Sequence, residues 1–135
     1  MKICIIVSNF YPNISKLLVK GALIELKKNK ISNFDIIKVP GTFEIPVILS
    51  NLIKKYNAFI VLGCVIKGET SHFDYLCSSV INSLLSLSIN SKKPIGNGIL
   101  TCNNKSQAMK RADPRKKNKG GEAATAALSV LSIIK

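Results

Sequence analysis

Two periodicities alternate along the chain. Short apolar, β-branched runs at residues 2–7, 34–39, 58–62 and 94–101 predict buried strands. Between them apolar residues recur at three- and four-residue spacing. Ile14, Leu17, Leu18, Ala22 and Leu26 predict an amphipathic helix over 14–28. Phe43, Val47, Ile48 and Leu52 predict a third element over 43–56, with Thr42 as its cap and Pro46 tolerated in its first turn. Phe73, Leu76, Cys77, Val80, Ile81, Leu84 and Leu85 predict a helix over 73–89, a short helix follows over 105–112, and an alanine-rich one runs over 121–134. Fourfold strand–helix alternation implies one α/β domain over residues 1–135, with a parallel sheet and helices on both faces. Neither repeats nor a linker interrupt it.

In such a sheet a ligand lies beyond the carboxyl ends of the strands. The turns expected there are 9–10, 40–44, 67–72 and 101–104. The third follows Gly63 and Cys64 and contains Gly68-Glu69-Thr70-Ser71 and His72, the only histidine. A glycine turn running into a helix presents free N–H groups to an anion, and its hydroxyl residues can cap the helix. An imidazole beside it can move protons near neutral pH, or it can simply cap its own helix. Phe10 offers either a face for stacking or a core side chain. Glu44 is either an acceptor for sugar hydroxyls or a solvated first-turn acid. Arg111 and the Gly68-Glu69-Thr70 amides can hold a phosphate, Arg111 through its planar fork; Arg111 can equally be a helix-surface residue. Glycines at 96 and 98 inside a strand mark close approach of another backbone or of a ligand.

Composition narrows the class. The formal charge is +13, but the eighteen lysines are strewn along the chain. Only Arg115-Lys116-Lys117 with Lys119 forms a run, and no aromatic interleaves it, so no nucleic-acid partner is expected. No apolar run approaches the ~18 residues of a membrane span, and the amino terminus reads as a strand, not a signal peptide. The scattered Cys4, Cys64, Cys77 and Cys102 read as small core residues of a reducing cytoplasm. One histidine without ligand spacing argues against zinc.

Several stretches together resemble the lumazine synthase family, in family order and over essentially the whole chain. They are Ser8-Asn9-Phe10, Val39-Pro40-Gly41-Thr42-Phe43-Glu44-Ile45-Pro46, residues 62–75, 94–101 and 107–112, and Asn118-Lys119-Gly120-Gly121-Glu122-Ala123-Ala124. The resemblance implies a flavodoxin-like three-layer α/β/α sandwich with a four-stranded parallel sheet, assembled into pentamers with each site between two subunits. It implies condensation of 5-amino-6-(D-ribitylamino)uracil with 3,4-dihydroxy-2-butanone 4-phosphate, without metal or organic cofactor. It places Phe10 on the pyrimidine, Thr42, Phe43 and Glu44 along the ring and ribityl site, and Cys64, Val65 and Ile66 beside the ring. Glu69 and Thr70 then meet the phosphate, and His72 transfers protons. Asn97, Arg111 and Lys119 arrive from the neighbouring subunit, with Arg111 on the phosphate and Glu122 bracing it.

Tyr11 and Asn97 depart from the family pattern, which often has asparagine at the first position and an aromatic at the second. The chain starts almost at its first strand, whereas shell-forming members carry a longer arm, so a pentamer is the smallest assembly expected. Two other readings stay open: an archaeal-type riboflavin synthase, and a flavin- or lumazine-binding or shell-forming protein without catalysis.

Overall fold

A computed structural model describes residues 1–68 and 72–135. The elements follow in the order β1 (Ile3–Ser8), α1 (Pro12–Lys28), β2 (Phe34–Val39), a 3-10 turn (Thr42–Glu44), α2 (Ile45–Leu52), β3 (Ala58–Ile66), α3 (His72–Ser91), β4 (Ile95–Cys102), α4 (Lys105–Ala112) and α5 (Lys119–Ile134). The four strands form one parallel sheet in the order β2-β1-β3-β4. Every expected strand and helix is present.

Side-chain alternation on β1 separates the two faces. Ile3, Ile5 and Val7 join Leu18, Leu26, Ala108 and Ala124 on the side of α1, α4 and α5. Cys4 and Ile6 join Ile45, Leu49, Val80 and Leu84 on the side of α2 and α3. Both faces of β1 and β3 are therefore buried, which is why these strands read as unbroken apolar runs rather than alternating ones.

Several boundaries differ from expectation by a few residues, α5 for instance beginning at Lys119, and three of the differences have identifiable reasons. Helix α1 begins at Pro12, whose fixed φ and missing N–H suit the first turn. Strand β3 runs on through Gly63 to Ile66, because β4 pairs with it as far as Cys102. The element expected over 43–56 is shorter: a 3-10 turn precedes α2, which ends at Leu52. Thr42 does not cap it. Gly41 is the cap residue of the 3-10 turn, no side-chain cap bond forms there, and Thr42 is buried with its hydroxyl toward Gly63.

Glycine in β4 serves backbone packing. A Cβ on Gly96 would sit 2.0 Å from the Ala123 carbonyl oxygen, so α5 lies directly on β4. Gly120 does the same where α5 crosses α1, its position 2.0 Å from the Leu18 carbonyl oxygen. The amino end of the sheet is closed by polar contacts. The Tyr56 hydroxyl donates to Asp35 Oδ2 at 2.7 Å, and Lys2 Nζ lies 3.1 Å from the same oxygen. The Tyr56 hydrogen bond and then Lys2 hold the Asp35 carboxyl below its usual range.

Candidate active site

Strand order reverses at β1, whose chain neighbour β2 lies on one side and β3 on the other. Loops leaving β1 and β3 diverge to opposite faces and open a crevice at the carboxyl end of the sheet. A cleft of about 420 Å³ occupies that position. Phe10 and Tyr11 enter it from the end of β1, Thr42, Phe43 and Glu44 from the turn after β2, and Cys64, Val65 and Ile66 from the last residues of β3. His72 and Leu76, one helical turn apart on α3, close the remaining side.

The cleft has a dry floor and bare aromatic walls. Phe10 is 68% exposed and Phe43 67%, though each belongs to a residue type that is ordinarily buried. Phe10 and Tyr11 form a T-shaped pair, with ring centroids 4.9 Å apart at 77°. Burial pushes the Cys64 thiol up to about 12, with Cys102 adding to the shift, so it is a neutral wall at physiological pH. Burial and then Cys64 also raise the Tyr11 hydroxyl. Glu44 is half-buried and folds over Gly41, where a Cβ would lie 2.9 Å from Oε1. No lysine or arginine lines the cleft among the described residues.

The cations lie elsewhere. Asn97, Arg111, Lys119 and Glu122 line a separate groove of about 340 Å³ along β4, α4 and α5. Strand β4 is an edge of the sheet, so this groove borders unpaired backbone. Asn97 Oδ1 accepts from the Ile99 N–H at 3.0 Å, which leaves its amide N–H donors for the groove. Glu122 does not brace Arg111. Both its oxygens accept from Lys119 Nζ at 3.2 Å, one helical turn back on α5, while Arg111 Nη1 donates to Cys102 Sγ at 3.5 Å. The spacing of Lys119 and Glu122 within α5 makes theirs the shorter reach.

Eight of the expected site residues thus share one cleft and three share another groove, while Glu69 and Thr70 lie outside the described residues. Sequence reasoning passed over Tyr11 and Leu76 as lining residues. Leu76 packs against the core on the side of α2 and α3, as its place in the apolar pattern predicts, and four residues after His72 it also reaches the cleft.

Fold and cleft together define an α/β protein with a small-molecule site at the switch point of a parallel sheet. The chain belongs to the 6,7-dimethyl-8-ribityllumazine synthase family, whose model matches residues 1–135. It is similar to 6,7-dimethyl-8-ribityllumazine synthase 1 of Rhodopseudomonas palustris, at 42% identity over 139 residues, covering 98% of this chain and 85% of the relative. Family membership makes it a transferase that carries out the condensation step of riboflavin biosynthesis. Among the described residues no helix is long and apolar enough to cross a membrane.

Proposed function

We propose that the cleft is one half of an active site, completed by the β4–α5 groove of a second copy of the chain. The reaction joins 5-amino-6-(D-ribitylamino)uracil to 3,4-dihydroxy-2-butanone 4-phosphate and yields 6,7-dimethyl-8-(D-ribityl)lumazine, phosphate and water. One observation carries the two-copy reading: among the described residues the cleft with Phe10, Glu44 and His72 has no lysine or arginine in its lining, while Arg111 and Lys119 line another groove. Exposed Phe43, Val47, Leu85 and Ile89 supply apolar surface for self-association, and we propose a pentamer.

In this site Phe10 stacks on the pyrimidine, Thr42, Phe43 and Glu44 flank the ring and the ribityl hydroxyls, and Cys64, Val65 and Ile66 form the apolar wall. The uracil amine attacks the ketone, and loss of water gives an imine. Elimination then expels phosphate, and ring closure with a second dehydration completes the lumazine. Each step is an addition, an elimination or a proton shift between two held substrates, so juxtaposition supplies much of the rate. His72 carries protons between successive atoms, a role worth about 10²–10⁴-fold. Glu69 and Thr70 meet the phosphate from the turn, and Arg111 and Lys119 of the second copy balance its charge. Asn97 presents an amide donor to the ring where an aromatic would present a face.

Incubation with both substrates tests this. Lumazine absorbance and equimolar phosphate release are expected; ligand binding without phosphate release would reassign the chain to a binding or shell-forming role. Riboflavin formed from lumazine alone would reassign it to riboflavin synthase chemistry.

A further inference from the structure

Arg111 also lines a second groove, where the loop after α4 folds back against that helix. The Lys117 N–H donates to the Lys110 carbonyl at 3.2 Å, and the Lys116 and Asn118 N–H groups donate to the Asp113 carbonyl. This turn brings Lys110, Arg111 and Lys117 to one groove of about 370 Å³ with Asn104, Ser106 and Gln107.

The acids nearby are already engaged. Asp113 Oδ1 accepts from the Arg115 N–H at 2.9 Å and lies 3.6 Å from Arg115 Nε, and Glu122 is held by Lys119. Among the described residues none of Lys110, Arg111 and Lys117 has a carboxylate within ion-pair distance. The neutral groups point the same way. Asn104 Oδ1 accepts from the Gln107 N–H and Gln107 Oε1 accepts from the Asn103 N–H, both at 2.8 Å. Each of these oxygens already accepts a hydrogen bond at the helix cap, and the N–H₂ groups are available as donors. Three cations and two amide donors, with one hydroxyl that can donate, make a groove rich in donors and without a carboxylate among its lining residues. Gathering like charges is unfavourable until an anion joins them.

We propose that this groove is a second anion site, for inorganic phosphate or a phosphomonoester, adjoining the active-site groove through the shared Arg111. The source of the phosphate rests on the proposed function, and the site itself does not. Tetrahedral oxyanions match the donor set, Arg111 by its fork and the lysines as point charges. No aromatic lines the groove to stack a base, which disfavours a nucleic acid. Because both grooves touch Arg111, phosphate leaving the reaction has a cationic step to occupy, and incoming phosphorylated substrate meets a field that concentrates it.

Calorimetric titration of the whole assembled protein with inorganic phosphate tests the site. Wild type should bind one phosphate per chain more than Lys110→Gln/Lys117→Gln, or bind it roughly tenfold more tightly at that site. A control pair at exposed lysines elsewhere, Lys27→Gln/Lys54→Gln, should match wild type, and Lys110→Arg/Lys117→Arg should restore binding. Added salt should weaken the extra site. Glycerol phosphate bound as well marks a phosphomonoester site, while inorganic phosphate alone marks a site for the leaving group. Equal binding in wild type and the Lys110/Lys117 glutamine variant, or equal loss in the control pair, overturns the proposal. So does an oligonucleotide that binds the groove when phosphate does not. Lumazine formation on the same samples separates the readings. A wild type that binds the extra phosphate but makes no lumazine sinks the catalytic reading alone. Lumazine formed while the glutamine variant binds phosphate as wild type does sinks only the second site.

Discussion

The cleft at the end of β1 and β3 and the groove along β4 are built from the same sheet, yet they have opposite chemistry. Among the described residues the cleft is floored by a neutral thiol, walled by exposed aromatics and furnished with one imidazole and one carboxylate. The groove is polar, with Arg111, Lys119 and an amide donor beside an unpaired strand edge. Stacking and proton transfer need a dry, shaped surface, whereas holding a phosphate needs fixed cations. Within one chain Arg111 and Lys119 therefore line a different surface from His72. In the proposed site the two surfaces meet only when two copies come together, which makes that site depend on assembly.

The strongest way to break this comparison is to damage each surface separately. His72→Ala is expected to reduce turnover by roughly 10- to 10⁴-fold, and Arg111→Ala to leave the protein nearly inactive. Unfolded together and reassembled, the two variants should recover activity, because some interfaces pair an intact His72 with an intact Arg111. Equal random mixing round a head-to-tail ring gives about one such interface in four. Mixed assemblies, verified by native mass, that recover nothing would place both residues in a single-chain site.

A smaller effect tests what positions the groove. Gly96→Ala would drive a methyl into the Ala123 carbonyl, 2.0 Å away, where backbone rather than a flexible side chain must yield. Stability should fall by about 1–3 kcal/mol, read from the denaturant midpoint, and phosphate affinity should suffer more than uracil affinity. Equal loss of both affinities would show that groove and cleft are not positioned independently.

The smallest effect concerns the cleft floor. Cys64 ionises near 9.0 when free and at about 12 in the fold, so the unfolded chain loses its proton first as pH rises. Its contribution to stability is complete below pH 9 and is lost as pH climbs through about 12. Wild type should therefore lose urea resistance over that window more steeply than Cys64→Ala. Identical pH slopes would mean that the thiol is well solvated and the floor is not dry.

Periodicity alone determined the α/β class, the four strands, the five helices and which turns crown the sheet, because strand and helix spacing are local properties of a chain with two buried sheet faces. It also singled out Phe10, Glu44 and His72, since chemistry-bearing residues at strand ends stand out in a sequence short of acids and histidine. Lateral strand order was not local, so only the structure could set β1 between β2 and β3 and open the crevice there. Long-range pairing with β4 extended β3 to Ile66, and close contact with the α5 backbone explained Gly96 without a ligand. Burial took Thr42 away from capping, and helical spacing gave Glu122 to Lys119. Periodicity did not show the partition of the expected residues between two cavities; the family resemblance set Asn97, Arg111 and Lys119 apart, and the structure puts them in a separate groove. His72 and Arg111 are both near the carboxyl side of the sheet in sequence logic, but the direction a side chain faces depends on which elements pack over it.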